Sequence, residues 1–164
     1  MTSVHTAHTL RPAETRDLPA LGRLGGSLVR LHHGFDRLRF MAPRGDIDEG
    51  YGWFLGTQLG EKDVVVLVAE VDERVIGYVY AGLEPMSWKE LREPAGFVHD
   101  VVVEESVRGR GIATALVEAA ARWLIEHGAP RVMLWTASEN PAAQRLFKRL
   151  GFRTTMLEMT REAS

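Results

Sequence analysis

The most regular hydrophobic pattern in the chain is a run of leucines near the N-terminus, which predicts a helix over Asp17–Arg30. These leucines recur at the three- and four-residue spacings of one helix face: Leu18, Leu21, Leu24, Leu28 and Leu31. Gly25 and Gly26 interrupt the pattern and predict a bend or a break in the middle of this helix. A second helix is predicted over Asp48–Leu59, after a turn-rich segment.

Short apolar stretches predict four strands between Thr9 and Val103. The first is Thr9–Pro12. The stretch Val64–Val71 is almost continuously apolar and rich in valine, which is typical of a strand buried on both faces. Arg74–Leu83 alternates and is predicted to pair with it in a hairpin, with Asp72–Glu73 as the turn. The fourth predicted strand is Phe97–Val103.

The C-terminal part of the chain alternates between helical and extended patterns. Gly111–His127 carries one apolar stripe and predicts a helix that Gly128 ends. A strand is predicted over Arg131–Thr136, a helix over Pro141–Leu150 and a last strand over Phe152–Met159.

The order of these elements predicts one domain, residues 1–164, of the α/β (α+β) class. We expect a mixed, mostly antiparallel central sheet of six to seven strands with helices on both faces. The strand–helix–strand unit from Phe97 to Thr136 is expected to be a right-handed parallel crossover. No internal repeat or low-complexity linker suggests a second domain.

The composition is that of a globular protein and excludes several kinds of function. The 164 residues are 45% apolar and 26% charged, and the net charge is −2. Because no basic surface is implied, neither nucleic acid nor a membrane is expected as a partner. The chain has no cysteine, which excludes disulfides, thiolate metal sites and a cysteine nucleophile.

The N-terminal stretch Met1–Thr9 is polar and resembles neither a signal peptide nor a transit peptide. No stretch approaches the roughly 18 apolar residues that span a bilayer. We therefore expect a cytoplasmic location. His5 and His8 are expected to be solvated, and no metal site is predicted.

The segment Arg108–Ala113 lies between a predicted strand and a predicted helix, where an anion site is readily formed. A helix N-terminus presents free N–H groups and a partial positive charge, which favour a phosphate. Gly109 and Gly111 allow the backbone to come close to that anion, and Arg108 and Arg110 add charge-assisted hydrogen bonds. The alternatives are a plain loop-to-helix junction and a dinucleotide fingerprint. The fingerprint fits poorly, because its third glycine would fall on Thr114.

These residues resemble a known family. The segment Val101–Ala113 is similar to the central motif of the GNAT acetyltransferases, with Arg108, Gly111 and Ala113 at its defining positions. The downstream stretch from Asn140 to Phe152 resembles the next motif of the same family, and the resemblance extends over nearly the whole chain.

The resemblance implies that acetyl-CoA is the co-substrate. It would lie in a V-shaped gap between the parallel strands Phe97–Val103 and Arg131–Thr136, with its pyrophosphate at the following helix. The implied contacts to acetyl-CoA involve Val101, Val102, Val103, Arg108, Gly109, Arg110, Gly111, Ile112, Ala113, Thr114, Asn140 and Phe147. Asn140 is equally explained as a helix N-cap.

Acetyl transfer requires a neutral amine, and an amine with a pKa near 10.4 is neutral in only about one molecule in a few thousand at pH 7. A base is therefore expected, and the candidates are His99 and Asp100. Neighbours on a strand point to opposite faces, so only one of the two is expected to face the substrate. Many family members have an acidic residue at the place of His99. The alternatives are a half-buried structural histidine and an aspartate that is structural or orients the substrate.

The chain departs from the family pattern at Phe147, where many relatives have a tyrosine that protonates the leaving thiolate. Water, or another donor such as Tyr78, Tyr80 or Ser138, is an alternative source of that proton. The third alternative is a CoA-binding regulatory module without turnover. A nucleotide-dependent oxidoreductase is a more distant hypothesis. Because the chain lacks cysteine, direct attack in a ternary complex is expected if the protein is an enzyme.

The resemblance places the amine acceptor between the segments His32–Tyr51 and Glu84–Trp88. Carboxylates and aromatic side chains there are candidates to attract and enclose a cationic amine: Asp46, Asp48, Glu49, Phe35, Trp53 and Trp88. A solvated loop or a core role explains these residues equally well. A small amine, an amino-acid derivative, a peptide N-terminus and a protein lysine all remain open as acceptors. The resemblance to the family also suggests a homodimer.

Overall fold

A computed structural model describes residues 7–164, and residues 1–6 with His5 lie outside that part. One five-stranded sheet has its strands in chain order across the sheet. The strands are β1 (Thr9–Pro12), β2 (Val64–Val71), β3 (Arg74–Glu84), β4 (Ala95–Val103) and β5 (Val132–Leu134). Neighbours are antiparallel except β4 and β5, which are parallel. The predicted fold class is confirmed, with five strands in this part of the chain instead of six to seven.

Residues 7–164 contain four α-helices. They are α1 (Leu18–Phe35), α2 (Ile47–Gln58), α3 (Ile112–Glu126) and α4 (Pro141–Arg149). The cores that α1, α2 and α3 form cover the two faces of the sheet. Leucines of α1 and α2 form one core with Val66, Val68 and Tyr78. The apolar stripe of α3 forms the other core, against Val65 and Val79. Strands β2 and β3 are therefore covered on both faces, as the valine-rich pattern predicts.

The expected break at Gly25 and Gly26 is wrong, because α1 runs without interruption through both glycines. A Cβ at Gly25 would lie 2.0 Å from the ring of Tyr51, and one at Gly26 would lie 1.8 Å from the carboxylate of Asp48. The two glycines therefore allow α2 to pack closely on α1. Their cost in helix propensity is offset by this contact between helices.

The last predicted strand, Phe152–Met159, is also wrong for this structure. Residues 152–164 form no helix or strand, and residues 153–160 are exposed. Phe152 is held at the end of α4, where its N–H donates to the carbonyl of Phe147 and the two rings lie 6.0 Å apart. Beyond that point the residues are exposed, and the predicted strand pairs with no strand within residues 7–164.

Candidate active site at the end of β4

A bulge in β4 brings His99 and Asp100 to the same face of the sheet. Tyr80 pairs with Asp100 and Ala81 pairs with Val98, so His99 is an extra residue in β4. The ring of His99 lies 4.9 Å from that of Tyr80. The carboxylate of Asp100 accepts a hydrogen bond from Tyr78, which is two residues from Tyr80 and on the same face. The expectation that only one of the pair would face this side is therefore wrong.

Asp100 accepts hydrogen bonds from two tyrosines. The hydroxyl of Tyr51 lies 2.5 Å and that of Tyr78 lies 3.0 Å from the same carboxylate oxygen. Burial raises the pKa of Asp100, and the two hydroxyls oppose this effect because they stabilise the carboxylate. Burial and the charge of Asp100 raise the pKa of both tyrosines, so their protons stay on oxygen. This cluster joins α2, β3 and β4 on the α1–α2 face.

The raised pKa of Asp100 predicts a pH dependence of stability. Because the folded state binds this proton more tightly than the unfolded state, stability falls as pH rises from about 3.9 to the raised value. In Asp100→Asn this contribution is absent. Urea unfolding from pH 4 to pH 8 should show the wild type losing stability relative to Asp100→Asn as pH rises. Parallel curves for the two proteins over this range would contradict the prediction.

His99 is accessible and has a carboxylate partner. Its Nε2 lies 3.1 Å from Oε1 of Glu84, and its side chain is 31% exposed. The ring stacks on Phe97, with centroids 5.8 Å apart and planes at 12°. A histidine with a carboxylate on one nitrogen and an open side is positioned to accept a proton from a bound molecule. Between the two sequence candidates, His99 is the more exposed and Asp100 the more enclosed.

The parallel strands β4 and β5 separate beside His99. They pair only from Gly96 with Val132 to Val98 with Leu134, although β4 continues to Val103. A cavity of about 220 Å³ opens at the point of separation. Its walls are formed by Glu84, Glu90, Arg92, Phe97, Val98, His99 and Trp135. The pairing of the two strands therefore ends where the gap is predicted to begin, and His99 lines the cavity at that point.

The predicted phosphate site lies beyond the C-terminal end of β4, at the N-terminus of α3. Gly111 is the N-cap residue with φ of 80°, and Gly109 has φ of 78°. This left-handed conformation favours glycine, and a Cβ at either position would meet no described atom within 4 Å. Arg108 donates from Nε to the carbonyl of Val103 at 3.2 Å, which ties this loop to β4. The backbone therefore offers helix N–H groups to an anion through open glycines.

The remaining sequence candidates have local structural partners. Asn140 caps α4, where its side-chain oxygen accepts from the N–H of Ala143 at 3.2 Å. Phe147 is 7% exposed and has no proton to donate. The hydroxyl of Tyr80 donates to Gln58 at 3.0 Å, and Ser138 is exposed.

In the predicted acceptor region, two of the three carboxylates have local partners. Asp46 caps α2 by accepting from the N–H of Glu49, and Asp48 forms an ion pair with Arg30 at 3.0 Å. A hollow of about 350 Å³ lies beside these residues, and His99 is not part of its wall. Trp53 and Trp88 are 73% and 82% exposed, which rules out a core role for either.

Several residues near His99 could not be identified as site residues from the sequence. Glu90, Arg92 and Trp135 line the cavity, and Tyr51 binds Asp100. Trp135 directly follows β5, so the predicted opening between β4 and β5 could have identified it as a site residue. Nothing in the local pattern connects Tyr51 with Asp100, because they lie 49 positions apart and meet only through the packing of α2 on the sheet.

A family model described as the acetyltransferase (GNAT) family matches residues 30–152. The chain belongs to the GNAT acetyltransferase family. It is 34% identical over 123 residues to an uncharacterised N-acetyltransferase of Methanocaldococcus jannaschii. That match covers 75% of this chain and 52% of the relative, so the chain spans about half of the relative's length. An N-alpha-acetyltransferase of Sulfurisphaera tokodaii is 33% identical over 107 residues, 62% of this chain and 64% of that protein.

Solved structures share the fold. The aminoglycoside N-acetyltransferase AAC(6')-Iy in complex with CoA has a TM-score of 0.75 and 21% identity, with 99% of each chain covered. At this identity the similarity establishes the GNAT fold. Within residues 7–164, no helix has the length and apolar character required to cross a membrane.

Proposed function

We propose that this GNAT protein transfers the acetyl group of acetyl-CoA to a primary amine by direct attack in a ternary complex. The observation that carries the proposal is that the pairing of β4 with β5 ends beside His99, which lines a cavity there, while β4 continues to the loop before α3. One strand therefore connects a candidate base to a candidate phosphate site.

The residues along this strand fit acetyl-CoA. Beyond Val98, the edge of β4 that faces β5 has no strand partner within the described chain. The carbonyl of Val103 accepts from Arg108, which leaves the other backbone groups of Val101–Val103 on this edge to pair with an amide-bearing arm. The open glycines and free N–H groups at the start of α3 suit a pyrophosphate, with Ile112, Ala113 and Thr114 in the first turn. A CoA complex of a structural neighbour supports the same co-substrate.

His99 is the proposed base, acting directly or through a water molecule. It takes the proton from the ammonium of the acceptor, and the neutral amine then attacks the thioester carbonyl. Glu84, whose Oε1 lies 3.1 Å from Nε2 of His99, orients the imidazole. Asp100 is assigned a positioning role, because one of its carboxylate oxygens accepts from two tyrosine hydroxyls and it is more enclosed than His99.

The leaving thiolate is proposed to take its proton from water. Phe147 offers none, Tyr78 is held by Asp100, and the hydroxyl of Tyr80 is donated to Gln58. A thiol with a pKa of about 8.5 is a moderate leaving group, so a dedicated acid helps the reaction without being indispensable.

The acceptor is proposed to be a cationic amine on a small molecule or a peptide. Glu84 and Glu90 line the cavity beside His99, and Phe97 and Trp135 add apolar walls. The ion pair of Glu90 with Arg92 at 2.7 Å leaves Glu84 as the carboxylate nearest to the base. A cytoplasmic location stays a prediction.

Thiol release from acetyl-CoA with a panel of amines tests the proposal. The panel contains an aminoglycoside, polyamines, amino-acid amides and peptides with free α-amino or lysine groups. We expect amine-dependent release with at least one class. Acetyl-CoA at 100 times its Kd should also stabilise the protein by about 2.7 kcal/mol in thermal unfolding. Stabilisation without release from any amine would favour the CoA-binding regulatory module that Phe147 suggests, and an absence of both would refute the acetyl-CoA site.

A further inference from the structure

Six aromatic rings, one of them the imidazole of the candidate base, contact one another in series across the sheet. This aromatic row consists of Tyr51 and Phe54 on α2, Tyr80 on β3, His99 and Phe97 on β4, and Trp135 directly after β5. The centroids of successive rings lie 4.9–5.9 Å apart, in edge-on, tilted or stacked contacts. Aromatic rings attract one another in such arrangements. The candidate base therefore has an aromatic neighbour on β3 and another on its own strand.

On the side of the cavity, the row ends in an accessible indole. Trp135 is 75% exposed, whereas Phe97 beside it is only 6% exposed. The two rings meet at 81°, and the guanidinium of Arg92 lies 5.1 Å from the centroid of Phe97. Both rings belong to the wall of the cavity beside His99. Because an aromatic wall binds apolar groups well, the cavity is suited to a molecule with an apolar ring.

The charges of the same wall match one ammonium group. Two carboxylates and one guanidinium line the cavity among residues 7–164. The guanidinium of Arg92 donates from Nε and from Nη2 to Oε2 of Glu90, at 2.9 and 2.7 Å, so these two charges compensate each other. Glu84 is the carboxylate that has no cation of the wall closer than His99, at 3.1 Å. A polyamine or an aminoglycoside carries several positive charges and would require several such carboxylates.

The size of the cavity agrees with one ring and a short link. A cavity of roughly 150 Å³ is sufficient to hold benzene in a protein. The cavity beside His99 measures about 220 Å³, which leaves room for a ring, two carbon atoms and an amino group.

We propose that the acetyl acceptor is a monoamine whose amino group is joined to an aromatic ring by two carbon atoms. The ring lies against Trp135 and Phe97, and the amino group lies between Glu84 and His99. This inference rests on the proposed acetyl transfer. A free arylalkylamine has this chemistry, and so does the α-amino group of a phenylalanine or tyrosine at the start of a peptide.

Two matched pairs of acceptors test the proposal and distinguish these sources. The first pair is 2-phenylethylamine and n-butylamine, and the second is the amide of Phe-Gly-Gly and that of Ala-Gly-Gly. We expect kcat/KM to be about 10- to 100-fold higher for the aromatic member of at least one pair, from burial of the ring. A preference in the first pair alone assigns a free amine, and one in the second alone assigns a peptide. No preference in either pair, or a higher kcat/KM for spermidine, would overturn the proposal.

Titration of the same amines into the protein saturated with CoA separates this inference from acetyl transfer. CoA has no acetyl group, so binding is measured without turnover. Tighter binding of an aromatic amine that is never acetylated would support the ring site and refute acetyl transfer. Acetylation of all amines with equal affinities would support acetyl transfer and refute the ring site.

Substitutions of Trp135 test where the ring binds. Trp135→Ala should raise KM for the preferred aromatic amine about 10-fold, because part of the apolar contact is lost, and should leave the Kd for acetyl-CoA unchanged. Trp135→Phe should keep most of the preference, since a ring remains. Ile125→Ala is the control, because Ile125 is 60% exposed on α3, and it should behave like the wild type. An undiminished aromatic preference in Trp135→Ala would refute the placement of the ring.

Discussion

Gly111→Val is expected to weaken acetyl-CoA binding about 10- to 100-fold. Each charge-assisted hydrogen bond to the pyrophosphate is worth roughly 1.5–3 kcal/mol, and a branched side chain at the N-cap of α3 would obstruct at least one of them. The Cβ position of Gly111 is open in the structure, so the substituted side chain would occupy the space assigned to the phosphate. Isothermal titration of acetyl-CoA into the wild type and the variant measures the effect.

Gly128→Val is the matched control for this experiment. Gly128 lies just beyond the C-terminus of the same helix, has φ of 97° and is equally open. Both variants impose a left-handed conformation on a valine, so both should lose about 2 kcal/mol of stability. Only Gly111→Val should lose affinity for acetyl-CoA. Equal affinity in the two variants would refute the placement of the pyrophosphate at the start of α3.

His99→Ala is expected to lower kcat about 10²- to 10⁴-fold, the range that general base catalysis contributes. The Kd for acetyl-CoA should change little, because the proposed contacts to it come from the backbone of β4 and from the loop before α3. Steady-state kinetics with the best amine of the panel, together with titration of acetyl-CoA, separates the two effects.

His127→Ala controls for the loss of an imidazole. His127 is exposed at the end of α3, where its Nδ1 lies 2.7 Å from the carbonyl of Trp123. This variant should keep wild-type kcat. If His99→Ala retained full kcat as well, the proton would have to leave by another route, and His99 would be a structural residue of the cavity wall.

The sequence was sufficient to predict most of the framework. Strand β2 matches its predicted bounds, and β3, α3 and α4 differ from theirs by a single residue at one or both ends. Hydrophobic patterns with a period of 2 or 3.6 residues indicate which side chains face the core. Each such pattern lies within one segment of the chain, so it can be recognised in the sequence alone. The glycine-rich turn into the N-terminus of α3 was predictable for the same reason, because it is formed by residues adjacent in the chain.

Contacts between distant residues had to come from the tertiary structure. The bulge that brings His99 and Asp100 to one face depends on the pairing of β4 with β3, and no single-strand pattern reveals it. Gly25 has low helix propensity, yet packing against Tyr51 makes it suitable in the middle of α1.

The C-terminal segment also shows the difference between what a local pattern predicts and what the tertiary structure decides. Its mixed apolar and polar residues over Phe152–Met159 predict a strand, but a strand forms only where another backbone offers unpaired groups. Within residues 7–164 no such partner reaches it. Local patterns therefore determined most helices and strands of this GNAT protein and the glycine-rich turn before α3. The tertiary arrangement decided which side chains from separate elements meet at His99, because hydrogen bonding and packing between elements depend on distance in space and not on distance along the chain.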